Sequence, residues 1–588
     1  MAASRLNQLG SHIGASHRQS ASGQASVPSD QTYEVNEEPI GTARKIRIIT
    51  IGAGASGLNV VRTLRKRLTN YEHVVYEKNP EVGGTWYENR YPGCKCDIPS
   101  HNYQFSWKPN HEWRSFFSSA EEIEAYLCKL CDDEGMRREL KLEHQVIGAY
   151  WNEALGSWKV TIKDLKMTTT YDDHCDFLLD ASGILNHWKW PDIPGLHDFT
   201  GTLVHSANWT QDFEWAGKKV AVIGNGSSGV QIVPVIQKDA SQLVHFIREP
   251  TWIAPPRLTS LAMSKAGSVL EKIEYDEEGN FTSVQIGRFK EDPEFYMTFV
   301  KAVEEQVNNN FQIAMKDSDT HQYVTQMVAE YMKAALGDDE VLIKALVPSF
   351  PLGCRRLTPG VGYLESLTQP NVEVVSDSIV QITSNGLVTK SGRTIEVDAI
   401  ICATGFNVSF CPRFPLVGRA GNLQDTWAKE LPQAYMSCAV PNLPNYFVFL
   451  GPNAPIGHGS VFTITELLAK YIVEIIQKCQ TEGIKAISPS RAAVQELSEH
   501  TQTFMPRTAW AGSCTSWFKN GTENGPVTAL HPGSRIHFFH MLERFRGEDW
   551  EYVYASKGNR FSYLGNGFST KELDGSDSTW YLNKNANN

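Results

Sequence analysis

The residues best able to do chemistry in this 588-residue chain fall into three groups. Two are glycine turns of the form G-x-G-x-x-G: Gly52, Gly54 and Gly57, then Gly224, Gly226 and Gly229. In such a turn the first glycine allows a tight bend and the second lets a pyrophosphate approach the backbone. The third lets helix pack on strand, so that the helix N-terminus faces the phosphates. The residue closing the next strand differs between the two. After the first turn it is Glu77, placed to accept hydrogen bonds from ribose hydroxyls. After the second it is Arg248, whose guanidinium suits a 2′-phosphate, with Glu249 beside it to blunt the charge. Two dinucleotide sites in one chain imply electron transfer between two cofactors, a bound flavin and a visiting nicotinamide, here of the NADP type. The third group is the adjacent pair Arg355 and Arg356 in "LGCRRLTP". If extended, the two point to different sides, and a fixed cation there can stabilise negative charge that develops in a reaction.

The elements that must carry these groups follow from hydrophobic period. "KIRIITIGAGASGLNVVRTLRKR" reads as apolar strand, glycine turn and amphipathic helix, and "HVVYEKN" as a second strand. "DFLLDASG" is a third strand, and Pro191 and Pro194 mark a connection after it. The pattern then restarts in "KKVAVIGNGSSGVQIVPVIQ", followed by the strand "QLVHFIRE". Val324, Met327, Val328, Tyr331, Met332 and Ala335 recur at three and four, one face of a helix. The expected fold is α/β: two Rossmann-like dinucleotide-binding domains with a helical insertion in the second. The expected organisation is a disordered extension over 1–44 and the first part of a flavin domain over 45–190. A nucleotide domain then runs over 191–394, with the insertion at about 258–347. The return to the first domain, with the tail, runs over 395–588, beginning with the strand in "IEVDAIICATGF".

Composition narrows the function. A net charge of −11 argues against a general nucleic-acid or anionic-membrane surface. No run of 18 apolar residues is present, so no spanning helix is expected. The first 40 residues lack an apolar signal core, which points to the cytoplasm, with a mitochondrial presequence as the weaker reading. Cys128 and Cys131 have no second pair at zinc spacing, so no metal site is expected. The 11 cysteines read as thiols in a reducing compartment.

Two longer segments are more specific. "GGTWYENRYPGCKCD" runs from Gly83 to Asp97, and "FTGTLVHSANW" from Phe199 to Trp209. With the paired glycine turns, they resemble the fingerprints of the type I Baeyer–Villiger monooxygenases, over roughly residues 45–534. The long fingerprint, G-G-x-W-x4-Y-P-G-x3-D, is matched at every fixed position. The short one, F-x-G-x3-H-x3-W-(P or D), is matched except at its last place, which holds Thr210. The resemblance implies an FAD- and NADPH-dependent enzyme that uses dioxygen to convert a ketone to an ester or lactone through a flavin peroxide. Its partners would be a small-molecule ketone and dioxygen, and 15 tryptophans with a long insertion suit a bulky or polycyclic one. The resemblance implies that Arg356 stabilises the peroxide, that Asp97 holds Arg356, and that Arg355 takes the 2′-phosphate where the family usually has lysine. It implies cofactor contacts from Gly84, Thr85, Trp86, Tyr103, Ser227, Ser228 and Trp517, and from the segments "IGHGS" and "CTSWFKNG". Phe199, Gly201, His205 and Trp209 would lie at the hinge between the nucleotide domains. The alternative is an N- or S-oxidising flavin monooxygenase, against which Trp209 argues. Cys94 and Cys96, only two apart, argue against a dithiol relay of the disulfide-reductase kind.

Overall fold

The structure, a computed structural model, describes residues 33–255, 267–277, 279–309, 311–337 and 339–582. The extension before residue 33 and the expected start of the insertion at 258–266 lie outside the described residues.

The described residues fall into two compact units, 41–555 and a small one of 33–40 with 556–582. In the small unit, Pro39 and Ile40 bridge Gly565 and Ser569, and the Ile40 amide donates to the Phe568 carbonyl at 2.8 Å. Residues 39–40 are therefore not the disordered segment expected from sequence. Their backbone groups find partners in the far end of the chain.

The large unit holds two five-stranded parallel sheets. The first has the order Tyr446–Val448, Phe177–Asp180, Ile46–Ile51, Tyr71–Tyr76, Leu140–Lys141. The second, read from its opposite edge, has the order Thr202–His205, Ala399–Cys402, Lys219–Ile223, Gln242–Phe246, Val372–Val375. Position by position the two match. In each, the strand before the glycine turn is central, flanked by the strand that follows it and by a strand ending in small residues. These central strands are almost wholly buried, as parallel strands covered on both faces must be.

This correspondence corrects one expectation. Ala399–Cys402 is not the return to the first domain; it pairs with Lys219–Ile223 on one side and Thr202–His205 on the other. "LLDASG" and "IICATG" occupy equivalent places in the two sheets. A short, fully apolar parallel strand reads the same in either sheet. What assigns it is the close approach of its end to a glycine turn: a Cβ on Gly224 would lie 2.6 Å from the Ala403 carbonyl oxygen, as one on Gly52 would lie 2.8 Å from that of Ala181.

An antiparallel sheet built on His144–Asn152, Ser157–Asp164 and Thr170–Cys175 packs its apolar face with the first parallel sheet in one core cluster. Helices Ser283–Glu291, Pro293–Asn309, Asp319–Ala335 and Glu340–Leu346 make up most of the insertion. On Asp319–Ala335, Val324, Val328 and Met332 are buried in the core of the second nucleotide half, and Met327, Tyr331 and Ala335 flank them half-buried. Among the described residues no helix is long and apolar enough to cross a membrane.

A second correction concerns the cysteines. Cys354 and Cys514, 160 residues apart, form a disulfide with Cα atoms 6.4 Å apart. No spacing rule could pair them, because the fold alone brings the two loops together.

Candidate active site

Both glycine turns open into one cleft of about 1250 Å³. On the first side, Gly52 takes φ +96°, a left-handed conformation that favours glycine, and its amide bonds the Tyr76 carbonyl at 2.8 Å. A Cβ on Gly57 would lie 2.0 Å from the Gly52 carbonyl oxygen, so this glycine is fixed by packing. Glu77 is buried and both its oxygens accept backbone amides: Ala53 at 2.7 Å and Asn79 at 2.8 Å. Burial raises its pKa, against those two hydrogen bonds, which favour the charged form. Each oxygen keeps a lone pair for a ribose hydroxyl. Gly84, at φ +55°, stands across from the turn, where its Cβ would be 3.0 Å from the Gly54 Cα. Thr85 and Trp86 follow on the cleft wall, and Trp86 meets buried Tyr103 edge-on at 5.4 Å.

On the second side the turn has the same form, with Gly224 at φ +101° and a Gly229 Cβ position 2.1 Å from the Gly224 carbonyl oxygen. A Cβ on Gly226 would meet no described atom within 4 Å, leaving the backbone open to the cleft. Ser227 and Ser228 begin the helix there, and Ser227 Oγ lies 3.0 Å from Thr358 Oγ1. Neither helix has a side-chain cap at its N-terminus: Gly54 and Gly226 occupy the cap positions. The first N–H groups of both helices therefore lack the partners a Ser or Asp would supply, and they suit phosphate. These features fit a dinucleotide on each side.

The cations cluster at the second turn. Arg248 is exposed on the cleft wall. Arg355 is ion-paired with Glu249 and donates to the Pro250 carbonyl at 3.0 Å, while its buried Nε has no hydrogen-bond partner. Burial and then the like charge of Arg248 lower its pKa. Glu249 also accepts from Thr515 Oγ1 at 3.0 Å, linking the cluster to the loop that carries Trp517 on the cleft wall.

Arg356 points elsewhere. Its Nε and Nη2 donate to the two oxygens of Asp97 at 2.5 and 2.8 Å, a bidentate pair. Burial alone would lower the Arg356 pKa, but the Asp97 charge and hydrogen bonds outweigh it and hold the group cationic. Nη1 is left with only a 3.5 Å approach to the Ile456 carbonyl, too long to satisfy it, so this edge remains available to the cleft. Ile456 and Gly459 of "IGHGS" line the cleft as well.

Gly57, Gly229 and the second fingerprint lie outside the cleft lining. A Cβ on Gly201 would lie 2.6 Å from the Phe199 ring and 2.4 Å from the Asp398 carbonyl oxygen. His205 is fully buried, and its Nδ1 accepts the Ala207 amide at 3.1 Å, so Nε2 carries the proton and faces Thr404 Oγ1 at 3.2 Å. Its ring stacks on Trp188 at 4.6 Å. Trp188 and Thr404 belong to the two connections that join the parallel sheets, and His205 touches both. Burial pushes its pKa down to about 4. Trp209 is half-buried, 5.7 Å from Phe213.

Sequence reasoning missed Gln231, the partner on which the long fingerprint seats one half against the other. Tyr91 Oη donates to Gln231 Oε1 at 2.9 Å, and Gln231 Nε2 donates to the Lys95 carbonyl at 2.9 Å. A Cβ on Gly93 would be 2.7 Å from the Gln231 carbonyl oxygen, which explains the glycine in "RYPG". Gln231 carried no signal, being one polar residue on a helix. Arg413, on the cleft wall with Nη2 donating to the Asn407 carbonyl at 2.6 Å, was equally silent in "CPRFP".

A cleft shared by two such turns, with a guanidinium held by carboxylate between them, defines a flavoprotein that draws on a second nucleotide. A family model of NAD(P)-binding Rossmann-like domains matches residues 50–120. The chain is 38% identical over 547 residues to the FAD-binding monooxygenase tazF of Aspergillus terreus, covering 92% of this chain and 95% of that one. It is 33% identical to a Baeyer–Villiger monooxygenase of Streptomyces coelicolor, covering 84% and 90%. Among solved structures it is similar to cyclohexanone monooxygenase from Rhodococcus sp. Phi1 bound to NADP+ (TM-score 0.72, 25% identity) and to an oxidized steroid monooxygenase bound to NADP (TM-score 0.69, 25% identity). Each match covers 87% of this chain and all of the other. The chain belongs to the Baeyer–Villiger monooxygenases, NADPH-dependent flavoproteins that bind FAD.

Proposed function

We propose that this enzyme converts a ketone, bulky or polycyclic, to an ester or lactone. Bound FAD, reduced by NADPH, supplies the activated oxygen. Gly52, Gly54, Glu77 and Gly84 hold its pyrophosphate and ribose. Gly224, Gly226, Ser227 and Ser228 take the pyrophosphate of NADPH, and Arg248 with Arg355 takes its 2′-phosphate. Trp517 covers the nicotinamide end. His205, Trp209 and the segment around Phe199 and Gly201 act at the hinge, where His205 contacts both connections.

The observation that carries this reading is the Arg356–Asp97 pair inside the cleft that both glycine turns share. Asp97 fixes two nitrogens and leaves Nη1 to meet an oxygen that gains negative charge. A preoriented donor in a dry site costs no reorganisation at the moment of reaction, which is why it is worth more there than in water. A substrate of polycyclic size is supported by the similarity to a steroid monooxygenase.

The test offers the purified enzyme a polycyclic ketone and a thioether with NADPH, and weighs the products. Ester or lactone formation is expected, and sulfoxide alone would place the enzyme in the N- and S-oxidising class. Arg356→Ala should lower ketone oxygenation by about a hundredfold or more while FAD stays bound and NADPH still reduces it. Oxygenation at the unaltered rate removes Arg356 from this role.

A further inference from the structure

The Cys354–Cys514 disulfide joins two parts of the site that the reaction must keep in register. Cys354 directly precedes Arg355 and Arg356. Cys514 directly precedes Thr515, which bonds Glu249, and lies three residues before Trp517 on the cleft wall. Both half-cystines are buried, Cys354 completely, while Ser513 beside Cys514 is exposed. A buried lysine completes the cluster. Lys519 Nζ donates to the carbonyls of Gly512 and Glu523 and lies 3.8 Å from Cys354 Sγ. An ammonium at that distance stabilises a thiolate on Cys354 and so makes this sulfur the better leaving group.

We propose that Cys354 and Cys514 form a thiol–disulfide exchange site, reduced by a small dithiol, that sets how tightly the Thr515–Gly521 loop closes on the NADP end of the cleft. The inference rests on the reading of that end as the nicotinamide nucleotide site. One thiolate of the dithiol attacks Cys514 Sγ, the half-cystine beside the exposed residue. The sulfur–sulfur bond breaks, and its electron pair leaves on Cys354 beside Lys519. The second thiolate of the dithiol then attacks its partner sulfur in the mixed disulfide and releases Cys514. The dithiol departs as a cyclic disulfide, oxidised by two electrons, and two protons complete the protein thiols. Reduction removes the covalent tie between the loop and the arginine segment and leaves the Lys519–Cys354 contact and the Thr515–Glu249 hydrogen bond as links between them. The loop then orders only at the cost of its own entropy, and the nucleotide is held less tightly.

Two readouts that need no ketone test this. Eleven cysteines with one disulfide leave nine free thiols. Protein purified without reductant and denatured should therefore titrate nine, and eleven after treatment with a phosphine. Eleven before treatment overturns the proposal. Titration of the full-length FAD-bound enzyme with NADP+, followed by flavin absorbance, should show binding weaker by about fivefold or more after reduction, the low end of ordinary coupling between sites. Equal affinity in the two states overturns the control of the loop. Cys514→Ser should bind like the reduced enzyme and ignore dithiol; if that variant fails to fold, the comparison within the unaltered protein decides. Both readouts stand whether or not the enzyme proves to oxygenate ketones, so their failure is distinct from failure of the ketone assignment.

Discussion

The two nucleotide halves share strand order, turn geometry and even the small-residue strand end that each turn packs against, yet they differ in what faces the ligand. In the first half a buried carboxylate, Glu77, holds the Ala53 amide of the turn itself, and Gly84 closes in on Gly54 to 3.0 Å from its would-be Cβ. In the second half Ile247 takes the equivalent place, the exposed Arg248 follows it, and the space over Gly226 is open. The same scaffold thus makes a deep site suited to a resident cofactor and an open, cationic site suited to one that exchanges. What separates the roles is a handful of residues around turns of the same form, not the fold.

The sharpest way to break that comparison is through the glycines of one turn. Gly229→Ala drives a Cβ to 2.1 Å from the Gly224 carbonyl oxygen, and backbone cannot yield as a side-chain end can. We expect a stability loss of about 3 kcal/mol or more, read as a lower unfolding midpoint. Gly226→Ala, three residues away, meets nothing in the protein and should leave the midpoint within about 0.5 kcal/mol, while weakening NADPH because the new methyl occupies the phosphate approach. If both variants lose stability alike, Gly226 serves packing and the open-site description is wrong. Next in size is the charge that distinguishes the halves. Arg248→Ala should raise the Michaelis constant for NADPH about tenfold to a hundredfold, the worth of one charge-assisted contact, with little change for NADH. Glu77→Gln should instead speed loss of FAD on dialysis and leave the NADPH preference alone. Equal shifts for NADPH and NADH would mean that Arg248 does not read the 2′-phosphate.

The strand–turn–helix units were legible because local period and three glycines fix them within some 20 residues, whatever the rest of the chain does. The partition between halves was less so. Ala399–Cys402 is apolar throughout, and nothing within it says which sheet it enters; that is settled by contacts with distant chain, at its end with the Gly224 turn and at its start through Asp398, whose carboxylate accepts the Lys219 amide at 2.8 Å across 179 residues. The site has the same character. Asp97 and Arg356 are 259 residues apart, and only resemblance linked them beforehand. The disulfide and the Gln231 seat were invisible, since each is defined by a contact between distant loops and neither leaves a periodic trace. Resemblance named the fingerprint residues, and the structure adds physical reasons for several: Gly93 because a helix backbone lies against it, Gly201 because the Phe199 ring does.

The smallest expected effect again contrasts the halves. In the second sheet, His245 occupies the register position that Val75 holds in the first, since Phe246 pairs with Ile223 before Gly224 as Tyr76 does with Ile51 before Gly52. His245 is fully buried. Its Nδ1 donates to the Val222 carbonyl at 3.2 Å, and its Nε2 accepts from the Tyr363 hydroxyl at 2.9 Å, so the neutral ring satisfies both neighbours. Burial pushes its pKa down to about 4, only partly opposed by the Val222 bond. A proton on Nε2 would face the hydroxyl's own proton. With a folded pKa below the unfolded value of about 6.5, the unfolded chain takes up a proton that the folded one refuses. Stability from this group is therefore complete above about pH 6.5 and falls as pH drops toward 4, by up to about 1.4 kcal/mol per pH unit. The double variant His245→Val with Tyr363→Phe removes the titrating group without stranding the hydroxyl, and gives the second sheet the residue of the first. Its unfolding free energy, followed by denaturant titration between pH 7 and 4.5, should decline less steeply than that of the unaltered protein. Parallel profiles would show that the buried histidines elsewhere, such as His205, account for the acid sensitivity and that this difference between the sheets has no thermodynamic consequence.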